Sequence, residues 1–170
     1  SLISNDPFQD AEDLIGLSNQ IGGENAVIYV GHSSGGMRSI IGATEDSSAL
    51  AVLGLDLVDG SFGDDFLALE NVSNLSVPVW GLLGESSSCN SYGNGLDVYN
   101  NALNGNAVRI TEADHCDFEF PTNSGCELSC ENSNPAIPDS AIRPKIIALG
   151  TSAILTLADI TDDGWVLWQD

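Results

Sequence analysis

A parallel α/β sheet is the fold class this sequence predicts, and three observations predict it. Apolar runs at residues 26–30, 50–58, 77–83 and 106–112 recur along the chain and alternate with helix-compatible stretches. The runs are nearly continuous rather than alternating with polar residues, as in strands covered on both faces. The chain has 170 residues, which fits one domain able to bury a core.

The elements follow in order. Over residues 10–21, Leu14, Leu17 and Ile21 recur at helical spacing, and Gly22-Gly23 ends the helix. The strand 26–30 (Ala-Val-Ile-Tyr-Val) comes next, then Gly31-His32-Ser33-Ser34-Gly35 and a helix from Met37 to Ala43. The second strand, within 50–58, is broken only by Gly54 and Asp56, and the third ends at Gly84-Glu85. Leu96, Tyr99 and Leu103 make a short helical face. The fourth strand ends at Ala113-Asp114-His115, and residues 142–158 form a long apolar helix closed by Asp159. The segment 116–140, rich in Cys, Pro, Asn and Ser, is long for a connection and is therefore a candidate functional loop.

Charge and cysteine content narrow the function classes. There are 25 acidic residues against four basic ones, for a formal charge of −21. A surface this anionic repels nucleic acid and anionic lipid, so neither is an expected partner. The acids are scattered without calcium-loop spacing and read as a solubility adaptation. Cys89, Cys116, Cys126 and Cys130 include no C-x-x-C pair, and only His115 lies near them, so no metal site is expected. Their even number predicts two disulfides and an oxidising compartment, secreted or periplasmic. Cys116 paired with Cys89 or Cys126 would stiffen the loop behind His115. No run of about 18 apolar residues exists, so no membrane span is expected. The start at Ser1, without Met, is expected to be a processed or truncated N-terminus.

Ligands of parallel sheets bind at the carboxyl ends of the strands, which directs attention to four places. Gly31-His32-Ser33-Ser34-Gly35 is a G-x-S-x-G segment between a strand and a helix, the setting in which that motif forms a nucleophile elbow. The turn is expected to hold Ser33 in a strained conformation, with Gly31 and Gly35 letting strand and helix approach. A serine hydroxyl needs a base. Of the two histidines, His32 adjoins the serine on the tight turn and is expected to pack or hydrogen-bond structurally. His115 follows the last strand, in the order Ser…acid…His, and is the candidate base. For the acid that orients it, Asp56, Asp59 and Glu85 all end strands. Asp56 leads because it interrupts an apolar strand end, a costly place for a carboxylate without partners. The Ser34 N–H is the candidate oxyanion donor. Phe118 and Tyr92 are candidate pocket residues, whereas Trp80 within a strand is expected in the core.

Three segments, Gly31-His32-Ser33-Ser34-Gly35-Gly36, Gly54-Leu55-Asp56-Leu57-Val58-Asp59-Gly60 and Asp114-His115-Cys116-Asp117-Phe118, together resemble the chlorophyllase, platelet-activating-factor-acetylhydrolase and dienelactone-hydrolase-like branch of the α/β-hydrolases. The resemblance spans roughly residues 10–158. It implies a serine carboxylic-ester hydrolase with a Ser-Asp-His triad, acting through an acyl-enzyme on a small-molecule or lipid ester, with no metal or organic cofactor. In that branch the acid lies about two dozen residues beyond the serine, where Asp56 stands. It also implies strands ahead of the nucleophile strand, and a loop carrying a second oxyanion donor, that this chain does not contain. The chain is therefore expected to be the C-terminal portion of a larger protein, its sheet completed by an N-terminal segment, another chain or a neighbouring subunit. The alternative is a structural or assembly-forming module on a hydrolase-like fold, inactive as this chain alone.

Overall fold

The apolar runs form a four-stranded, all-parallel sheet flanked by helices. The computed structural model describes residues 6–22, 26–60, 65–122, 125–126, 130 and 139–160. In chain order the elements are α1 (Pro7–Gly22), β1 (Val27–His32), α2 (Ser34–Glu45), β2 (Ala49–Leu55), α3 (Leu67–Val72), β3 (Val79–Leu83), α4 (Gly95–Asn101), β4 (Gly105–Arg109) and α5 (Asp139–Leu157). Short 3-10 turns lie at Ser88–Asn90 and His115–Phe118. The strand order is β1-β2-β3-β4, and among the described residues no strand pairs with the outer edge of β1.

The sheet separates two cores, as the two-residue period of a strand requires. Val52, Val79 and Leu83 face one cluster with Ala11, Met37, Ile40, Ile41, Val72, Val98 and Tyr99 from the four helices α1–α4. Leu53, Trp80 and Leu82 face the other, where α5 contributes Ile142, Ile146 and Ala153, flanked by Leu149 and Leu157. That helical row has the spacing of a single apolar stripe. Each fully buried Val, Leu or Ile stabilises by about 1.5–3 kcal/mol, so the sheet is a stiff base for whatever its strand ends carry.

Element boundaries differ from expectation for local reasons. Helix α1 starts early because Pro7 suits a first helical position and the Asp6 carboxylate accepts from the N–H groups of Phe8 and Gln9. Its Leu14, Leu17 and Ile21 do not face the core; they are exposed, and Ala11 makes the buried contact. Leu14 and Leu17 instead line a groove of about 420 Å³ with Val30, Gly31, Ser34 and Gly35, beside the outer edge of β1. In α4 likewise, Val98 and Tyr99 are buried while Leu96 is not, and Leu103, expected on the same helical face, lies beyond the end of the helix and is exposed. Helix α3 had no counterpart in the sequence reading. Much of the loop 116–140 lies outside the described residues.

One row across the sheet prepares the site. Gly31 pairs with Gly54, and Gly54 with Gly81, at one level of β1, β2 and β3. A Cβ at Gly31 would stand 2.2 Å from the Gly35 carbonyl oxygen, and Cβ atoms at Gly54 and Gly81 would each stand 2.1 Å from Tyr99. The row thus admits the start of α2 and the Tyr99 side chain against the sheet, just below the strand ends.

Candidate active site

Ser33 sits between β1 and α2 with φ 55° and ψ −129°, a conformation unfavourable for a residue with a Cβ. Backbone bonds on both sides impose it. The Ser33 N–H donates to the Leu55 carbonyl, while the Ser33 carbonyl accepts from the Gly36 and Val58 N–H groups. The expected strained turn is present, but the glycine roles differ from expectation. Gly31 and Gly36 make the close approaches, the latter against Leu57, whereas a Cβ at Gly35 would meet nothing within 4 Å.

Asp56 follows β2 directly and is also at positive φ, 43°. It is 1 % exposed, and a carboxylate so deeply buried must be fully hydrogen-bonded. Three donors converge on it. Oδ1 accepts from the Gly84 N–H at 2.8 Å; Oδ2 accepts from Asn90 Nδ2 at 3.1 Å and lies 2.7 Å from His115 Nδ1. Asn90 is itself fully buried. Its carbonyl oxygen accepts from the Ser87 and Gly93 N–H groups, and its amide also donates to the Glu85 carbonyl. Asn90 and the Gly84 N–H are site groups that the sequence reading missed.

His115 opens a 3-10 turn whose ends are locked reciprocally. The Asp114 carboxylate accepts from the Cys116 and Asp117 N–H groups, and the Asp117 carboxylate accepts from the Asp114 N–H. The ring is 7 % exposed, and its Nε2 lies 3.1 Å from Ser33 Oγ. A carboxylate only accepts, so Nδ1 carries the hydrogen toward Asp56, leaving the Nε2 lone pair to face the serine hydroxyl. Two disulfides brace this assembly. Cys116–Cys126 adjoins His115, and Cys89–Cys130 adjoins Asn90. The Cys126 and Cys130 sulfurs stand 3.7 Å apart, so the bridges abut; this places Cys116, Cys126 and Cys130 within 4.8 Å of one another. As disulfides they offer no thiolate to a metal.

The other candidates are placed elsewhere. Asp59 is buried, but its carboxylate accepts from the Ala68 and Leu69 N–H groups and so holds the start of α3; burial raises its pKa. The Glu85 side chain is exposed and accepts from the Glu112 N–H. Asp56 alone of the three acids hydrogen-bonds to His115. Phe118 is buried in the α5-side core with Trp80, while Tyr92 is 77 % exposed. Ser34 is the first residue of α2, where backbone N–H groups lack intrahelical acceptors and the helix dipole is positive.

Among the described residues, this arrangement holds a hydroxyl at the end of β1, an anion at the end of β2, and between them a base, its lone pair toward the hydroxyl, on the 3-10 turn that follows β4. Proton removal from Ser33 by His115 is the chemistry it can support, with Asp56 stabilising the resulting imidazolium. No protein-family model and no curated protein sequence matches the chain.

Proposed function

We propose that this chain is a serine carboxylic-ester hydrolase working through an acyl-enzyme. One observation carries the reading: Ser33 Oγ, His115 Nε2, His115 Nδ1 and Asp56 Oδ2 form a continuous chain, with contacts of 3.1 and 2.7 Å, at the carboxyl edge of a parallel sheet. Ser33 Oγ attacks the ester carbonyl carbon as its proton passes to His115 Nε2. The negative carbonyl oxygen is met by the Ser34 N–H at the α2 N-terminus. Collapse of the tetrahedral species breaks the carbon–alkoxide bond, and His115 returns its proton to the departing alcohol. Water then attacks the acyl-serine, giving a proton to His115, which restores it to Ser33 as the acid leaves. The substrate class is a small-molecule or lipid ester, and this route uses no metal or organic cofactor.

The compartment proposed is extracellular or periplasmic. Two disulfide pairs are compatible with it, and no helix among the described residues is long and apolar enough to cross a membrane. We propose as well that a further strand, from an N-terminal segment or another chain, covers β1 and brings the second oxyanion donor. The outer edge of β1, with Val30 45 % exposed, carries none of the Pro or Lys residues that usually guard an edge. That same edge favours the second reading, a module that assembles by strand addition.

Hydrolysis of short-chain p-nitrophenyl esters by the native protein separates the two readings. The hydrolase reading expects turnover that ceases after treatment with a fluorophosphonate. Hydrolysis that survives this treatment, or no hydrolysis at all, would leave the assembly module as the better account.

A further inference from the structure

The histidine beside the nucleophile touches the base rather than the nucleophile. His32 ends β1, and its Nε2 lies 3.1 Å from the backbone carbonyl oxygen of His115. A carbonyl only accepts, so Nε2 must carry the hydrogen and Nδ1 the lone pair. The His32 and His115 rings are 4.6 Å apart at a tilt of 35°, and the Phe118 ring lies nearly parallel to His32 at 6.4 Å. Three charged or titratable groups face His32: His115 on the 3-10 turn, Glu119 just after it, with Oε1 4.0 Å from Nδ1, and Asp56 at the end of β2.

This geometry bears on a weakness of the site. Ser33 and Asp56 are anchored by the sheet, since both follow strands directly. His115 does not follow a strand directly, for β4 ends six residues earlier, at Arg109, and the bond from the Glu85 N–H, just past β3, reaches only as far as the Ala113 carbonyl. The capping contacts of Asp114 and Asp117 stay within the turn, and the Cys116–Cys126 bridge ties it to the same long loop. The bond from His32 is a link from the backbone of His115 to the strand that carries Ser33.

We propose that His32 is a positioning residue: by donating Nε2–H to the His115 carbonyl, it fixes the distance between the catalytic base and the serine hydroxyl. This rests on the triad reading above and adds to it the group that couples the base to the nucleophile strand. Burial, reinforced by the neighbouring His115, holds the His32 pKa below the ordinary histidine value, so the ring stays neutral at neutral pH. A neutral ring is the useful form. A charged one would set a cation beside the imidazole that must itself become positive.

The test pairs two substitutions. Phenylalanine keeps the ring and its stacking but lacks the donor; glutamine keeps a donor at a comparable reach. His32→Phe is expected to lower kcat on a p-nitrophenyl ester about 10²-fold with KM unchanged, the cost of a reacting group displaced by about 1 Å. His32→Gln is expected to recover most of the rate. Equal rates for the wild type and both variants would overturn the proposal, as would a His32→Gln variant no better than His32→Phe. A readout independent of turnover is the ¹⁵N NMR spectrum of the imidazoles in the intact protein. It should show His32 as the Nε2–H tautomer, whereas an Nδ1–H tautomer would overturn the proposal even in an active enzyme. Absence of hydrolysis in every form, with the Nε2–H tautomer present, would instead strike the hydrolase reading and leave the His32–His115 link standing.

Discussion

Replacing Ser33 by alanine is expected to lower ester turnover by about 10⁶-fold, the loss seen when a serine–histidine pair acts as a unit and one member is removed. The measurement is steady-state hydrolysis of a p-nitrophenyl ester, with the melting temperature recorded alongside. Folding should be preserved, because the strained backbone is set by bonds from Leu55, Gly36 and Val58 rather than by the Ser33 hydroxyl. Ser33→Gly sharpens the point. Glycine accepts positive φ without the Cβ penalty, and strain of this kind costs on the order of 1–3 kcal/mol. That variant should be as inactive as Ser33→Ala yet melt at a higher temperature than the wild type. A residue under strain only for packing would show no such trade of stability for activity. Wild-type turnover in Ser33→Ala would remove the nucleophile assignment.

Asp56→Asn is expected to lower kcat by about 10⁴-fold with little change in KM. The reason lies in the three donors that meet the carboxylate. Asparagine has one acceptor oxygen where aspartate has two. With that oxygen toward the Gly84 N–H, the new amide N–H points at His115 Nδ1, which must then offer its lone pair. The ring hydrogen moves to Nε2, facing Ser33 Oγ, and His115 can no longer accept the serine proton. The flipped amide brings its NH₂ against the Gly84 N–H, donor to donor, and is disfavoured. Both orientations therefore damage the site. Glu85→Gln, made in parallel, should leave kcat within experimental error, since the exposed Glu85 carboxylate accepts from the Glu112 N–H and not from His115. Asp59→Asn should act on stability instead, weakening the start of α3. A large loss of kcat in Glu85→Gln with none in Asp56→Asn would reverse the assignment of the acid.

What could be read from the sequence was what local chemistry decides. The strands and the turn at Ser33 are local events: an apolar run, a glycine pair and a helix start within a dozen residues. His115 and Asp56 stood out through strand-end position and through polarity in an apolar setting. The rest of the site is assembled by distant pairs that no periodicity announces. Asn90 reaches Asp56 across 34 residues, Gly84 across 28, and His32 meets His115 across 83. Asn90 stands in the run Ser86-Ser87-Ser88-Cys89-Asn90, where it resembles any turn residue. Helix α3 escaped for a similar reason. It has six residues, and it starts where the Asp59 carboxylate, from nine residues back, accepts the Ala68 N–H. The exposed stripe on α1 shows the converse error. Helical spacing located the helix correctly, but apolar spacing alone does not say which side faces the core. The close-approach roles of Gly31 and Gly36 against the open position of Gly35 depend on where Leu57 packs, which is again a tertiary fact.

The most direct test is the site of covalent capture. The native protein, treated with a fluorophosphonate and digested, should carry a single adduct, on the peptide containing Ser33, and capture should fail when His115 is replaced by alanine. An unmodified protein, or an adduct on any other residue, would contradict the claim that the hydroxyl at the end of β1 is activated by the imidazole beside it.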